Sequence, residues 1–338
     1  MRPRPSRRSL FLFEARRLTE FGLFSDLFDC IEKLIWVWNL GKSRVSLTEV
    51  GRHGISGLRT QAYGLTSDGE VVRLLVGDST YYIYFSGDLI RLEGAFDGVN
   101  YISRSQGRFF LSKRSLASTW KATPVYIVDD SGRVDGRIEI SGPCSKILVD
   151  PHSRIWVGYS DSGSLAIPEL GSPLSGFESS DIGYDFPGVA CWQESGVVSW
   201  RMKDFGIYSD KFLHCHAMGF HKDQIIALAD QGNSMILIDM NGDISNIETP
   251  VLAPLGIAAQ GDEFAFLGRY ELGKRRGYRD REVFIFEING NSVDLKDVQP
   301  LKIRDPNIPG TPREVISFEN SIFMYFGDRD DLYVIRLE

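Results

Sequence analysis

His214, Cys215 and His216 head one strand-like segment and His221 follows closely, so three of the chain's five histidines fall between positions 214 and 221. On an extended strand His214 and His216 project from one face, about 6–7 Å apart. That spacing suits a shared metal ion or a proton-transfer pair. His221 lies roughly 23 Å along the strand from His214 and cannot join them. Without a third ligand the expectation is no metal site, and hydrogen-bonded structural histidines are the plainer account. Glu314 joins His214 and His216 as a candidate acid–base group. A second set of residues suits an anion. Arg59, Lys146, His214 and Arg313 stand near the starts of innermost strands, and Arg275, Arg276 and Arg279, with Tyr278 among them, crowd one basic segment. Arginine forks grip carboxylate or phosphate in a bidentate manner. No GxSxG, HExxH or P-loop is present, so no reaction class and no cofactor is nominated.

The chain that must position these residues has 338 residues, 43% hydrophobic and 25% charged, which is ordinary globular composition. Its net charge of -7 argues against a nucleic-acid partner. Cys30, Cys144, Cys191 and Cys215 form no CxxC and read as reduced, buried thiols. The apolar run SLFLF near the start is cut by Glu14, Arg16 and Arg17, short of the roughly 7–15 residues of a signal-peptide core. No run reaches the roughly 18 residues of a membrane span. The expectation is a cytoplasmic protein.

Residues 1–42 read as a disordered basic tail followed by an amphipathic helix. Phe24, Leu27, Phe28, Ile31, Leu34, Ile35 and Trp38 recur at helical spacing, with Ser25 and Gly41 as caps. From there on strands dominate. One phrase, a strand and a glycine turn, recurs at Tyr81–Ile90, Val125–Val134, Ala190–Trp200, Met235–Ile244 and Val283–Val293. Its turn glycines are Gly87, Gly132, Gly196, Gly242 and Gly290, spaced about 45 residues apart with one longer interval, the period of a four-stranded propeller blade. The fold expected is therefore all-β, a β-propeller of four-stranded blades over residues 43–338. Six blades fit best, near 57–93, 98–140, 144–201, 212–249, 255–300 and 313–337, with five or seven as alternatives. The last repeat has three strands, and the orphan strand 43–50 is expected to complete it by pairing with 331–337.

The segment ILVDPHSRIWVGYSDSG, within Cys144–Gly163, resembles the D-x-x-G-x-I-W-V-G phrase of NHL-type, streptogramin-lyase-like and sensor-kinase regulator propellers. The order of phrases from Tyr126 onward is also similar to a family of bacterial propeller-like proteins, in which a DCYALNV-like inner strand stands where this chain has HCHAMGF. Ser153 replaces the usual glycine, and His214 and His216 replace acidic and aromatic residues. The resemblance implies the propeller fold and carries over no catalytic set, because this fold hosts many unrelated activities.

In such a blade the strands run from the axis outward as first to fourth, and the loop between second and third opens on the face where inner strands begin. Lys113–Thr123, Ser160–Gly188 and Tyr270–Asp280 are all expected to be loops of this kind, sharing one face. The second is acidic (Asp161, Glu169, Glu178, Asp181, Asp185) and the third basic. The functional expectation is a binding or scaffold propeller that offers this face to a protein, peptide or small anionic ligand. The alternative is a lyase or hydrolase resembling streptogramin lyase, working at the channel mouth.

Overall fold

A computed structural model of the chain describes residues 45–49, 55, 57–113, 122–140, 142, 144–160, 188–202, 214–229, 234–251, 253–268, 282–301, 312, 314–326 and 331–338. The tail and helix expected over residues 1–42 lie outside them. The described residues form six antiparallel four-stranded blades. Strand β1 (Val45–Glu49) stands apart in sequence. Blade 1 comprises β2 (Arg59–Leu65), β3 (Val71–Gly77), β4 (Thr80–Phe85) and β5 (Asp88–Arg91). Blade 2 comprises β6 (Tyr101–Ser105), β7 (Arg108–Ser112), β8 (Thr123–Val128) and β9 (Val134–Ile140). Blade 3 comprises β10 (Cys144–Val149), β11 (Ile155–Tyr159), β12 (Val189–Trp192) and β13 (Val198–Arg201). Blade 4 comprises β14 (Cys215–His221), β15 (Gln224–Ala229), β16 (Ser234–Asp239) and β17 (Ile244–Glu248). Blade 5 comprises β18 (Gly256–Gln260), β19 (Glu263–Leu267), β20 (Glu282–Asn289) and β21 (Ser292–Pro300). Blade 6 comprises β22 (Glu314–Phe318), β23 (Ser321–Phe326) and β24 (Asp331–Leu337), with β1 as its fourth strand, Val45 opposite Leu337 and Glu49 opposite Tyr333. All-β propeller architecture is thus what the repeats build.

The core lies between blades. Ile102, Phe109 and Leu111 of blade 2 pack on Leu74 and Ile83 of blade 1, and comparable apolar layers separate each later pair. A sixth layer, with Tyr63, Leu65, Tyr325 and Val334, joins blade 6 to blade 1 and closes the ring. Second strands such as β11, buried at every position, read as continuous apolar runs. The outer strand β9 alternates as one face meets water.

Three of the five repeated glycines, Gly132, Gly196 and Gly242, sit where the turn between third and fourth strands meets the preceding blade. Gly132 has φ 88°, and a Cβ there would lie 2.0 Å from the Arg91 carbonyl oxygen of blade 1. Gly242 has φ 91° and lies under Trp200 of blade 3, whose Nε1 donates to its carbonyl at 3.0 Å. The turn needs left-handed backbone and the interface needs the missing side chain.

Candidate functional site

First strands β2, β6, β10, β14, β18 and β22 line the axis, and their two ends differ. At the starting end, three of them carry a β-bulge in the same place. The ladder slips between Thr60 and Ala62 in β2, between Cys144 and Lys146 in β10, and between Cys215 and Ala217 in β14. The extra residues are Gln61, Ser145 and His216, all polar. Two of them reach the next blade or the segment that leads into it. Gln61 Nε2 donates to the carbonyls of Phe96 (2.9 Å) and Val99 (2.7 Å), and Ser145 Oγ donates to Cys215 O at 2.7 Å. A bulge re-aims one side chain without breaking the strand, and here it turns a polar group toward the neighbouring blade.

His214 and His216 come together as the sequence suggests. Their rings stack with centroids 4.3 Å apart and planes 28° from parallel, both half-buried. Among the described residues no group of three His, Cys, Asp or Glu side chains is arranged to hold a metal ion. Cys215 points the other way into the layer between blades 3 and 4. Burial pushes its thiol up to about 12, against the pull of the nearby Lys146 ammonium. Its sulfur presses on Gly158, where a Cβ would sit 2.6 Å away. Lys146 and Glu314 are half-buried at the starts of β10 and β22, and Arg59 is exposed at the start of β2. Beside Arg59, the Tyr81 hydroxyl donates to Asp97 Oδ1. That bond, then burial, then the Asp97 charge hold Tyr81 above the usual phenol range. Arg275, Arg276, Tyr278, Arg279 and Arg313 lie outside the described residues.

The strand ends that bound the three long segments are described. Ser112 and Thr123, Tyr159 and Val189, and Leu267 and Glu282 all join second to third strands. Tyr101 lies opposite Ser112, Cys144 opposite Tyr159 and Gly256 opposite Leu267, so all three segments leave from the end where inner strands begin.

The other end carries contacts that sequence reasoning missed. β14 pairs in parallel with β22, bypassing blade 5, with Gly219 opposite Ser317 and Phe220 opposite Phe318. The approach is close enough that a Cβ on Gly219 would lie 2.8 Å from Ser317 Cβ. Next along, Glu319 ties three blades. Its N–H donates to Phe220 O (2.6 Å), and its carbonyl accepts from the Ala259 N–H of blade 5 (2.9 Å). Its carboxylate accepts from Lys222 N (2.9 Å) and meets His221 Nδ1 (3.1 Å). Burial lowers the His221 pKa below its ordinary value, outweighing the Glu319 charge that raises it. Glu319 and Lys222 both hold left-handed φ angles, 49° and 51°. Non-glycine residues adopt that region only where their surroundings over-determine it.

No protein-family profile matches the chain, and no curated protein sequence is similar to it. Solved structures do resemble it. A chain of a mitotic checkpoint complex superposes with TM-score 0.51 at 9% identity, over 84% of this chain and 78% of that one. Virginiamycin B lyase from Staphylococcus aureus gives TM-score 0.44 at 14% identity, over 87% of this chain and all of the other. The PQQ-bound aldose sugar dehydrogenase from Streptomyces coelicolor gives 0.46 at 12% identity, over 88% and 99%. The first likeness supports the fold alone, and the other two are too weak to carry an argument. The chain is a β-propeller. No narrower family is shown. Among the described residues no helix is long and apolar enough to cross a membrane.

Proposed function

We propose that this propeller is a binding module of the cytoplasm that offers its long-loop face to an acidic peptide, protein segment or small anion. The observation that carries the reading is the asymmetry of the axis. At one end β14 pairs with β22 across blade 5, and Glu319 bonds to His221 and Lys222. The other gathers the strand ends of all three long segments with Arg59, Lys146, His214, His216 and Glu314. The basic segment Arg269–Arg281 then supplies attraction through Arg275, Arg276 and Arg279, with Tyr278 among them, and Arg313 adds to the mouth. The buried Cys144, Cys191 and Cys215 favour a reducing compartment. A fluorescent glutamate-rich peptide tests the reading. Replacing Arg275, Arg276 and Arg279 by alanine should weaken its binding at least tenfold and flatten the salt dependence, because exposed charges are screened beyond about 8–10 Å at physiological ionic strength. Binding indifferent to both would overturn it.

The stacked His214–His216 pair favours one second reading, a lyase or hydrolase in which these rings and Glu314 move protons. Incubation with a cyclic depsipeptide lactone, followed by mass spectrometry, separates the two. Ring opening that disappears in His216→Ala supports the enzyme, and an intact ring supports the binding module.

A further inference from the structure

The two parallel strands β14 and β22 carry two His/Glu pairs at one sequence separation. His221 and Glu319 meet just past the ends of the two strands, 3.1 Å apart, directly beyond the paired rungs Gly219/Ser317 and Phe220/Phe318. At the same separation toward the starts of the two strands stand His216, the bulged residue of β14, and Glu314, the first residue of β22, at most about 17 Å back at strand rise. The bottom contacts therefore bear on how the top residues are aligned. We propose that the His221–Glu319 pair is an acid-sensitive clasp that fixes the register of β14 on β22 and thereby sets the height of His216 against Glu314. Both are positioning residues, and the naming of His216 and Glu314 as site residues rests on the function proposed above.

The geometry makes the clasp sensitive to protons. His221 is 7% exposed, and its Nε2 is buried with no hydrogen-bond partner among the described residues. With Nδ1–H donating to Glu319, that bare nitrogen is tolerable. A proton added there makes a buried N–H with nothing to accept it. The charges acting on the ring are Glu319 across the clasp and Lys222 in its own turn. Blade 5 contributes the uncharged Ala259 backbone to the same junction. Burial lowers the folded-state pKa of His221 from its ordinary 6.5. The clasp is thus fully made above about pH 6.5 and weakens as pH falls below it, since the unfolded chain then binds the extra proton.

Amide exchange and one ring resonance test this without any ligand. After correction for intrinsic rates, the Lys222 and Glu319 amides should lose about tenfold protection between about pH 7.5 and about pH 5.5. His221→Phe should abolish that loss. Glu319→Gln keeps an acceptor for Lys222 N but removes the charge that draws a proton onto the ring, so it should move the loss to lower pH. At fixed neutral pH, Glu319→Ala should shift the His216 ring resonance while Glu319→Gln leaves it in place. Equal protection at both pH values, or a loss that persists in His221→Phe, overturns the clasp. A His216 resonance unmoved by Glu319→Ala overturns its link to the mouth. Neither result depends on the peptide experiment, so failure of the binding reading would be seen separately.

Discussion

Asp150 shows how one buried carboxylate organises a turn. Its side chain is fully buried and accepts from the backbone N–H groups of His152 (2.8 Å) and Arg154 (3.0 Å), from Arg154 Nε (2.6 Å) and from Trp156 Nε1 (3.0 Å). Asp129 and Asp239 close their turns with the same backbone bonds. Asp150→Asn places an amide N–H against one pair of donors, and removing one partner of a buried pair costs about 3–5 kcal/mol. Urea unfolding should show a lower midpoint with an unchanged slope. The thiols give a second outcome at this scale. Burial pushes Cys191 up to about 11 and Cys215 up to about 12, so neither offers thiolate near neutrality. In a Cys30→Ser protein, a disulfide reagent at mildly alkaline pH should label no thiol until denaturant is added. Rapid labelling of the folded protein would contradict the burial.

Turns and strands repeat as elements, and the glycines separate what is local from what is tertiary. Gly87 and Gly132 both hold left-handed φ, 94° and 88°, yet a Cβ on Gly87 meets nothing within 4 Å while one on Gly132 meets Arg91 O at 2.0 Å. Gly87→Ala should therefore cost about 1–2 kcal/mol, the backbone penalty alone. Gly132→Ala adds overpacking and should cost about 3–4 kcal/mol by the same denaturation measurement. Equal losses would mean the interface relaxes around the methyl. The sequence alone revealed these glycines because a positive φ is a local demand. It also revealed strand order, since period-two and apolar runs are local as well. The bulges at Gln61, Ser145 and His216 were not legible, because a bulge is a relation between two strands. Nor was the β14–β22 pairing, which depends on strands a hundred residues apart choosing each other over blade 5. His214 and His216 were found by type and spacing. Glu319 was not, since an acidic residue in a hairpin turn looks like any other until its partner is known.

At the scale of the whole molecule the ring is held by interblade layers and by one covalently distant strand. β1 supplies the outer edge of blade 6, pairing along Val45–Glu49 with Tyr333–Leu337, and Val45 and Leu337 are buried with Ala265 and Ile322 in the layer between blades 5 and 6. Without it, β24 becomes an open edge with unpaired N–H and C=O groups. Each ladder hydrogen bond contributes about 0.5–1.5 kcal/mol net, so losing the strand should cost about 3–5 kcal/mol. At about 2–4 °C per kcal/mol for a domain of this order, the melting temperature should fall by about 6–20 °C when residues 1–50 are removed. A chain beginning at Arg44 keeps the pairing, so its melting temperature reads what the residues before the strand contribute. The two truncations together locate the effect. An unchanged melting temperature on removing residues 1–50 would show that blade 6 stands on three strands and that the ring closes without β1. A fall in both would assign the loss to residues before the strand.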